Sequence, residues 1–162
     1  MKFNCRHCKN ILSKELIDLG IHPASNNYLN SKELIQDEKK YPLKVYICEK
    51  CWLVQIPEHA KPKELFSKNY AYFSSTSSSW CNHAKQFVDK CIIEKKINKK
   101  SFVLEIASND GYLLQYVKKV GISCLGIEPT ESTAKASELK GIDTIREFFS
   151  EEFSEILKKK YF

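Results

Sequence analysis

The chain has 162 residues, 43% of them apolar, and a formal net charge of +6, a size that allows one ordinary domain or a small module followed by a partial one. No stretch approaches the roughly 20 uninterrupted apolar residues of a spanning helix, so no membrane partner is expected. Residues 1–100 hold 18 Lys or Arg against 10 acids and residues 101–162 hold 8 against 10, and the only arginines are Arg6 and Arg146. Guanidinium forks that read guanine edges are therefore scarce, and nucleic acid ranks behind a solvated lysine surface and an anionic small substrate.

The first element is a cysteine knuckle, Cys5-x2-Cys8, repeated as Cys48-x2-Cys51 after 39 intervening residues. Two residues between cysteines let a tight turn aim both sulfurs at one ion, and two such turns close a tetrahedral shell with no open position, which is the pattern of a structural zinc site. The competing assignment is a pair of disulfides. It is disfavoured because the chain opens MKFNCRHC without an apolar signal segment and carries seven cysteines, an odd number that suits a reduced, cytoplasmic protein. Cys81, Cys91 and Cys124 lie outside the paired spacing among apolar residues and are expected as small buried hydrophobes. His7, inside the first knuckle, is expected at the surface.

Residues 1–60 are expected to form a loop-rich zinc-binding domain. The first knuckle leads to a short strand and a polar stretch at residues 23–27, and a strand over Tyr41 to Cys48 alternates apolar and polar residues. Trp52 to Ile56 is expected to leave the second knuckle as another strand. So small a unit buries little apolar surface, so zinc is expected to supply much of its folding energy.

Residues 61–100 are expected as connector and helix. The serine-rich run at residues 74–79 suits a loop or a helix start, and Trp80, Ala84, Phe87, Val88, Cys91 and Ile92 recur at spacings of three and four up to Lys96. From residue 101 the period changes. Phe102 to Ala107 is a short apolar run followed by the turn residues Ser108, Asn109, Asp110 and Gly111, a helix pattern runs from Tyr112 to Lys119, and a second strand spans Ile122 to Ile127. Strand, helix, strand in this order requires a parallel sheet with a right-handed crossover. A helix over 131–140, a short strand over Asp143 to Arg146 and a helix opened by Ser150 complete the 101–162 segment.

Ligands of open parallel sheets bind at the carboxyl ends of the strands. Here the first such end carries Glu105 and the loop Asn109-Asp110-Gly111, where glycine would allow close backbone approach. The second carries Glu128, 17 residues beyond Gly111, where a carboxylate can accept both hydroxyl hydrogens of a ribose. By spacing alone, Asp110 as a helix cap and Glu128 as a surface acid fit equally well. A nicotinamide dinucleotide is the competing ligand, but its pyrophosphate needs a G-x-G-x-x-G loop. The loop present, Ala107 to Tyr112, has one glycine and an acid, and suits a phosphate-free ligand with a cationic end.

The ordered set CRHC, LIDLGIHPASNNYL, YPLKVYICEKCWLVQI, YAYFSSTSSSW with His83-Ala84, and VLEIASNDGYLLQ with GIEP resembles the S-adenosylmethionine-dependent sugar C-methyltransferases of deoxysugar biosynthesis over nearly the whole chain. That resemblance implies an α/β architecture, a small zinc-binding domain followed by the first part of a Rossmann-like class I methyltransferase fold with an incomplete parallel sheet. It implies zinc on Cys5, Cys8, Cys48 and Cys51, a cofactor loop of Glu105, Ala107, Asn109, Asp110 and Gly111, and adenosine ribose on Glu128. It also places Tyr70, Tyr72, Ser74 and Ser75 near cofactor and substrate.

Such enzymes continue with a further strand, a histidine base beside an acid, and a third domain, whereas 34 residues follow Glu128 here. The expectation is an amino-terminal part of a methyltransferase for a nucleotide-linked deoxysugar, inactive alone, with association through the unpaired sheet edge. The alternative is a non-catalytic zinc module that binds a protein or nucleic acid.

Overall fold

The structure is a computed structural model that describes residues 3–32, 34, 37–68 and 70–161. Met1, Lys2, Glu33, Ile35, Gln36, Asn69 and Phe162, which fall inside the three segments expected above, lie outside the described residues. The chain divides into two compact units, residues 1–65 and 66–162.

The first unit is antiparallel. Strands β1 (Phe3–Asn4) and β2 (Ile11–Leu12) pair across the first knuckle, and β3 (Lys14–Pro23), β4 (Lys40–Ile47) and β5 (Val54–Gln55) form a three-stranded sheet in that order. Where the sequence suggests only a short strand after the first knuckle, β3 runs for ten residues, all exposed. Its register against β4 shifts between Glu15 and Ile17 and again between Asp18 and Ile21, as bulges do. β4 does not show the expected half-buried alternation. Leu43 to Ile47 are all of intermediate exposure, and β4 is the central strand, flanked along its edges by β3 and β5. The strand expected over Trp52 to Ile56 is reduced to two residues, because Trp52 sits at φ 63° inside the knuckle turn. A four-residue helix, α1 (Pro62–Leu65), ends the unit.

The second unit is an α/β layer. A 3-10 turn at Ser74–Thr76 precedes helix α2 (Ser78–Glu94), whose first turn is capped by the Ser77 hydroxyl accepting from the Trp80 amide at 3.2 Å. Strands β6 (Phe102–Ile106), β7 (Ser123–Ile127) and β8 (Thr144–Ile145) lie parallel in the order β6-β7-β8. Helices α3 (Leu114–Lys119) and α4 (Glu131–Leu139) make the crossovers, and α5 (Glu151–Tyr161) follows. Each strand stands close to its expected position because a run of apolar residues bounded by turn residues can be buried on both faces.

Helices cover both faces of this sheet. Val88, Leu114, Val117, Ile122 and Ile142 form one core, with Val103 and Cys124 packed against it, while Leu125, Ile127 and Leu157 form the other with Phe102 and Leu104. Successive β6 residues thus point to opposite layers. Cys81, Cys91 and Cys124 are half-buried rather than buried. This arrangement is a mixed α/β fold with a partial Rossmann-like sheet. Among the described residues, no helix is long and apolar enough to cross a membrane.

Candidate functional site

The two knuckles fold alike. In the first, the Lys9 amide donates to the Cys5 carbonyl at 2.9 Å with Lys9 at φ 62°, and the Cys5 amide donates to Asn10 at 2.7 Å. In the second, Trp52 donates to Cys48 at 2.8 Å with φ 63°, and Cys48 donates to Leu53 at 3.0 Å. Each turn needs a left-handed residue just after its second cysteine to close, which Lys and Trp supply at a modest steric cost.

The four sulfurs of Cys5, Cys8, Cys48 and Cys51 lie within 4.8 Å of one another, with Cys5 to Cys51 at 3.6 Å and Cys8 to Cys48 at 3.5 Å. Zinc–sulfur bonds of about 2.3 Å in a tetrahedron place sulfurs roughly 3.8 Å apart, so this donor set fits zinc. Hydrogen bonds prepare the thiolate form. The Cys8 amide, and against the opposing effect of burial the Gln55 side chain at 3.2 Å and the His7 amide, bring the Cys5 thiol down to about 6. Gln55 escapes a spacing argument. It is buried, donates to the Cys5 sulfur and accepts from the Arg6 amide at 2.9 Å, the kind of outer contact that orients a metal ligand. His7 is exposed.

The second candidate site is a cavity of about 400 Å³ at the carboxyl ends of β6, β7 and β8. Of the residues expected there, Tyr70, Tyr72, Ser74, Ala107, Asn109 and Glu128 line it. Glu128, 5% exposed, accepts from the Asn109 amide at 3.0 Å through one oxygen and from the Thr130 amide and hydroxyl at 3.0 and 2.5 Å through the other. With three of about four lone-pair positions filled, one on Oε2 remains, held in a fixed direction.

The loop of residues 107–111 is backbone-strained. Ala107 lies at φ 58° and Asn109 at φ 50°, a region costly for a residue with a β-carbon and typical of places where geometry serves a site. Gly111, at φ 72°, is also required by packing. A β-carbon there would stand 2.5 Å from Ile142 Cδ1 and 2.8 Å from Ser137 Oγ.

Asp110 and Ser75 do not line the cavity. They bond to each other, and Asp110, 2% exposed at its side chain, also receives Lys140 Nζ at 3.3 Å. Glu105 does not line it either. Burial, and then the charges of Asp110 and Glu128, push its carboxyl up to about 8.

One oxygen each of Glu105, Asp110 and Ser108 is buried without a hydrogen-bond partner. The two buried carboxyl oxygens without a donor, on Glu105 and Asp110, favour a cationic group nearby over a phosphate. That chemistry fits the ammonium and sulfonium end of S-adenosylmethionine.

Sequence reasoning missed the aromatic wall. Phe66, Trp80, Tyr112, Phe148 and Phe149 line the same cavity. Trp80 stacks on Tyr112 with ring centroids 5.9 Å apart and on His83 at 5.3 Å. Periodicity places Trp80 on a helix face and gives no clue that one residue overhangs a neighbouring loop. Phe148 and Phe149 do carry a signal, as paired aromatics just beyond the carboxyl end of a parallel strand.

Residues 5–66 match a family model, Methyltransf_13, described as "Putative zinc binding domain". Over 157 residues the chain is 27% identical to C-methyltransferase NovU of Streptomyces niveus, covering 97% of this chain and 37% of that protein. The chain thus spans a little over a third of the length of this methyltransferase relative. The match to this C-methyltransferase extends past the four-cysteine unit into the parallel sheet, so the similarity is not confined to the zinc-binding domain.

Proposed function

We infer that this chain forms the zinc-binding and cofactor-binding part of an S-adenosylmethionine-dependent C-methyltransferase that acts on a nucleotide-linked deoxysugar. The observation that carries the reading is the cavity at the strand ends, where Glu128 stands opposite an aromatic wall and beside a surplus of buried carboxyl oxygens. Glu128 would hold the ribose hydroxyls. Asp110 would supply negative field for the methionine end, Glu105 would join it once a cation draws off the proton that burial keeps on its carboxyl, and Tyr70 and Tyr72 would orient cofactor and substrate. The cofactor supplies an electrophilic methyl group when bound.

Accepting that methyl at carbon requires a base of near-neutral pKa beside the sugar ketone. Glu128 is occupied by three donors, and among the described residues no histidine lines the cavity. Sugar methylation by this chain alone is therefore not expected. Strand β6 pairs with β7 alone among the described strands, and its open side is a natural surface for association with further chain.

Calorimetry with S-adenosylmethionine, its demethylated product and NAD tests the reading. The first two are expected to bind and NAD not, and Glu128→Gln is expected to weaken binding roughly ten- to a hundredfold, as loss of charged hydrogen bonds does. Absence of binding by the unaltered chain at about 1 mM ligand, or preference for NAD, overturns it.

A further inference from the structure

Lys68 and residues 70–76 form a strap at the strand ends that is tied down from two elements. The Ser132 amide donates to the Lys68 carbonyl at 3.1 Å and the Ser132 hydroxyl to the Tyr70 carbonyl at 2.7 Å. The Asn109 side chain makes two bonds, Nδ2 donating to the Tyr72 carbonyl at 3.0 Å and Oδ1 accepting from the Ser74 amide at 2.8 Å. Asp110 Oδ2 accepts from the Ser75 amide at 3.3 Å and from the Ser75 hydroxyl.

Asn109 is the junction of this arrangement. Its side chain holds the strap, its amide donates to Glu128 Oε2, and its φ of 50° is one that asparagine tolerates better than most residues. A shift of Glu128 or of the Asn109 backbone therefore cannot occur without moving the Tyr72 carbonyl or breaking two bonds. Tyr72, 49% exposed, and Tyr70 both line the cavity from the strap.

We propose that Asn109 is a positioning residue that couples the occupant of Glu128 to the placement of Tyr70 and Tyr72, so that cofactor binding sets the substrate-facing strap. The coupling rests on the cofactor site inferred above. A ribose drawing on Glu128 shares that carboxylate with the Asn109 amide, and the side chain carries the change to Tyr72 and Ser74. Cofactor before sugar is the binding order this predicts. Asp110, buried and bonded to Ser75 and Lys140, anchors the far end of the strap, a different task from contacting the cofactor.

Amide hydrogen exchange on the full chain tests this, with and without S-adenosylhomocysteine. In the free chain, Asn109→Gly keeps the backbone conformation and removes both side-chain bonds. It should speed exchange at Ser74 and Ser75 roughly tenfold while β6 and β7 stay unchanged. Asn109→Asp keeps an acceptor for the Ser74 amide and should restore most of that protection. With ligand bound, strap exchange should slow at least about threefold in the unaltered chain and not in Asn109→Gly, at ligand concentrations that saturate both by calorimetry.

Unchanged Ser74 exchange in Asn109→Gly overturns the clamp. Bound ligand without any change in strap exchange overturns the coupling. If the unaltered chain binds no ligand, the cofactor reading fails and the coupling with it, while the free-chain comparison still decides whether Asn109 holds the strap.

Discussion

Gly111 shows how a single missing atom shapes the ligand end of this sheet. Its φ of 72° and the 2.5 Å and 2.8 Å approaches awaiting a β-carbon make Gly111→Ala costly on two counts, left-handed strain and overpacking against Ile142 and Ser137. A loss of about 2–4 kcal/mol is expected in urea denaturation of the 66–162 unit. Glu105 gives a second expectation. Its folded carboxyl titrates at about 8, first because it is buried, whereas an unfolded glutamate titrates near 4.3. The folded state therefore holds the extra proton between those values, and stability is full at low pH and falls as pH rises toward 8. The drop is on the order of 5 kcal/mol. Glu105→Gln cannot ionise, so the difference between its pH-stability curve and that of the unaltered chain should carry this slope, and parallel curves would refute the assignment.

At the scale of elements, helix α2 depends on its start. Ser77 caps the helix that carries Trp80 to the cavity and buries Ala84 and Val88. Ser77→Ala should destabilise the unit by about 1 kcal/mol, read from the urea midpoint, and Ser77→Asp should restore it. The same cap was foreshadowed by the serine-rich run at 74–79. What that run did not reveal is its division of labour. Ser74 and Ser75 bond back to Asn109 and Asp110, while Ser77 starts the helix. Residues so similar in type differ only through partners 35 residues away.

For the molecule as a whole, the four-cysteine cluster predicts one zinc per chain. Removing it with a chelator should unfold residues 1–65 while the parallel sheet of residues 66–162 keeps its protection, because the core of the first unit consists of Cys5, Leu12 and Cys48 with few other apolar contacts. Hydrogen exchange before and after chelation, and metal analysis of Cys48→Ser, check this. Full zinc retention in that variant would end the four-cysteine assignment.

The paired knuckles, the parallel strand-helix-strand order and the positions of Glu105 and Glu128 were legible in the sequence, because cysteine spacing and apolar periodicity are set by local geometry that few folds can satisfy otherwise. The second knuckle consumed Trp52 in its turn, and the ten-residue β3 arose from pairing with β4; neither has a local signature. The roles of Asp110 and Gly111 were decided by tertiary structure. A buried carboxylate turns toward the donors nearest it, and for Asp110 these are Ser75 and Lys140. A glycine is required wherever another chain segment comes close, and at Gly111 that segment is the end of α4 and the turn after it, through Ser137 and Ile142. Distances of this kind join residues far apart in the chain, and only folding brings them together.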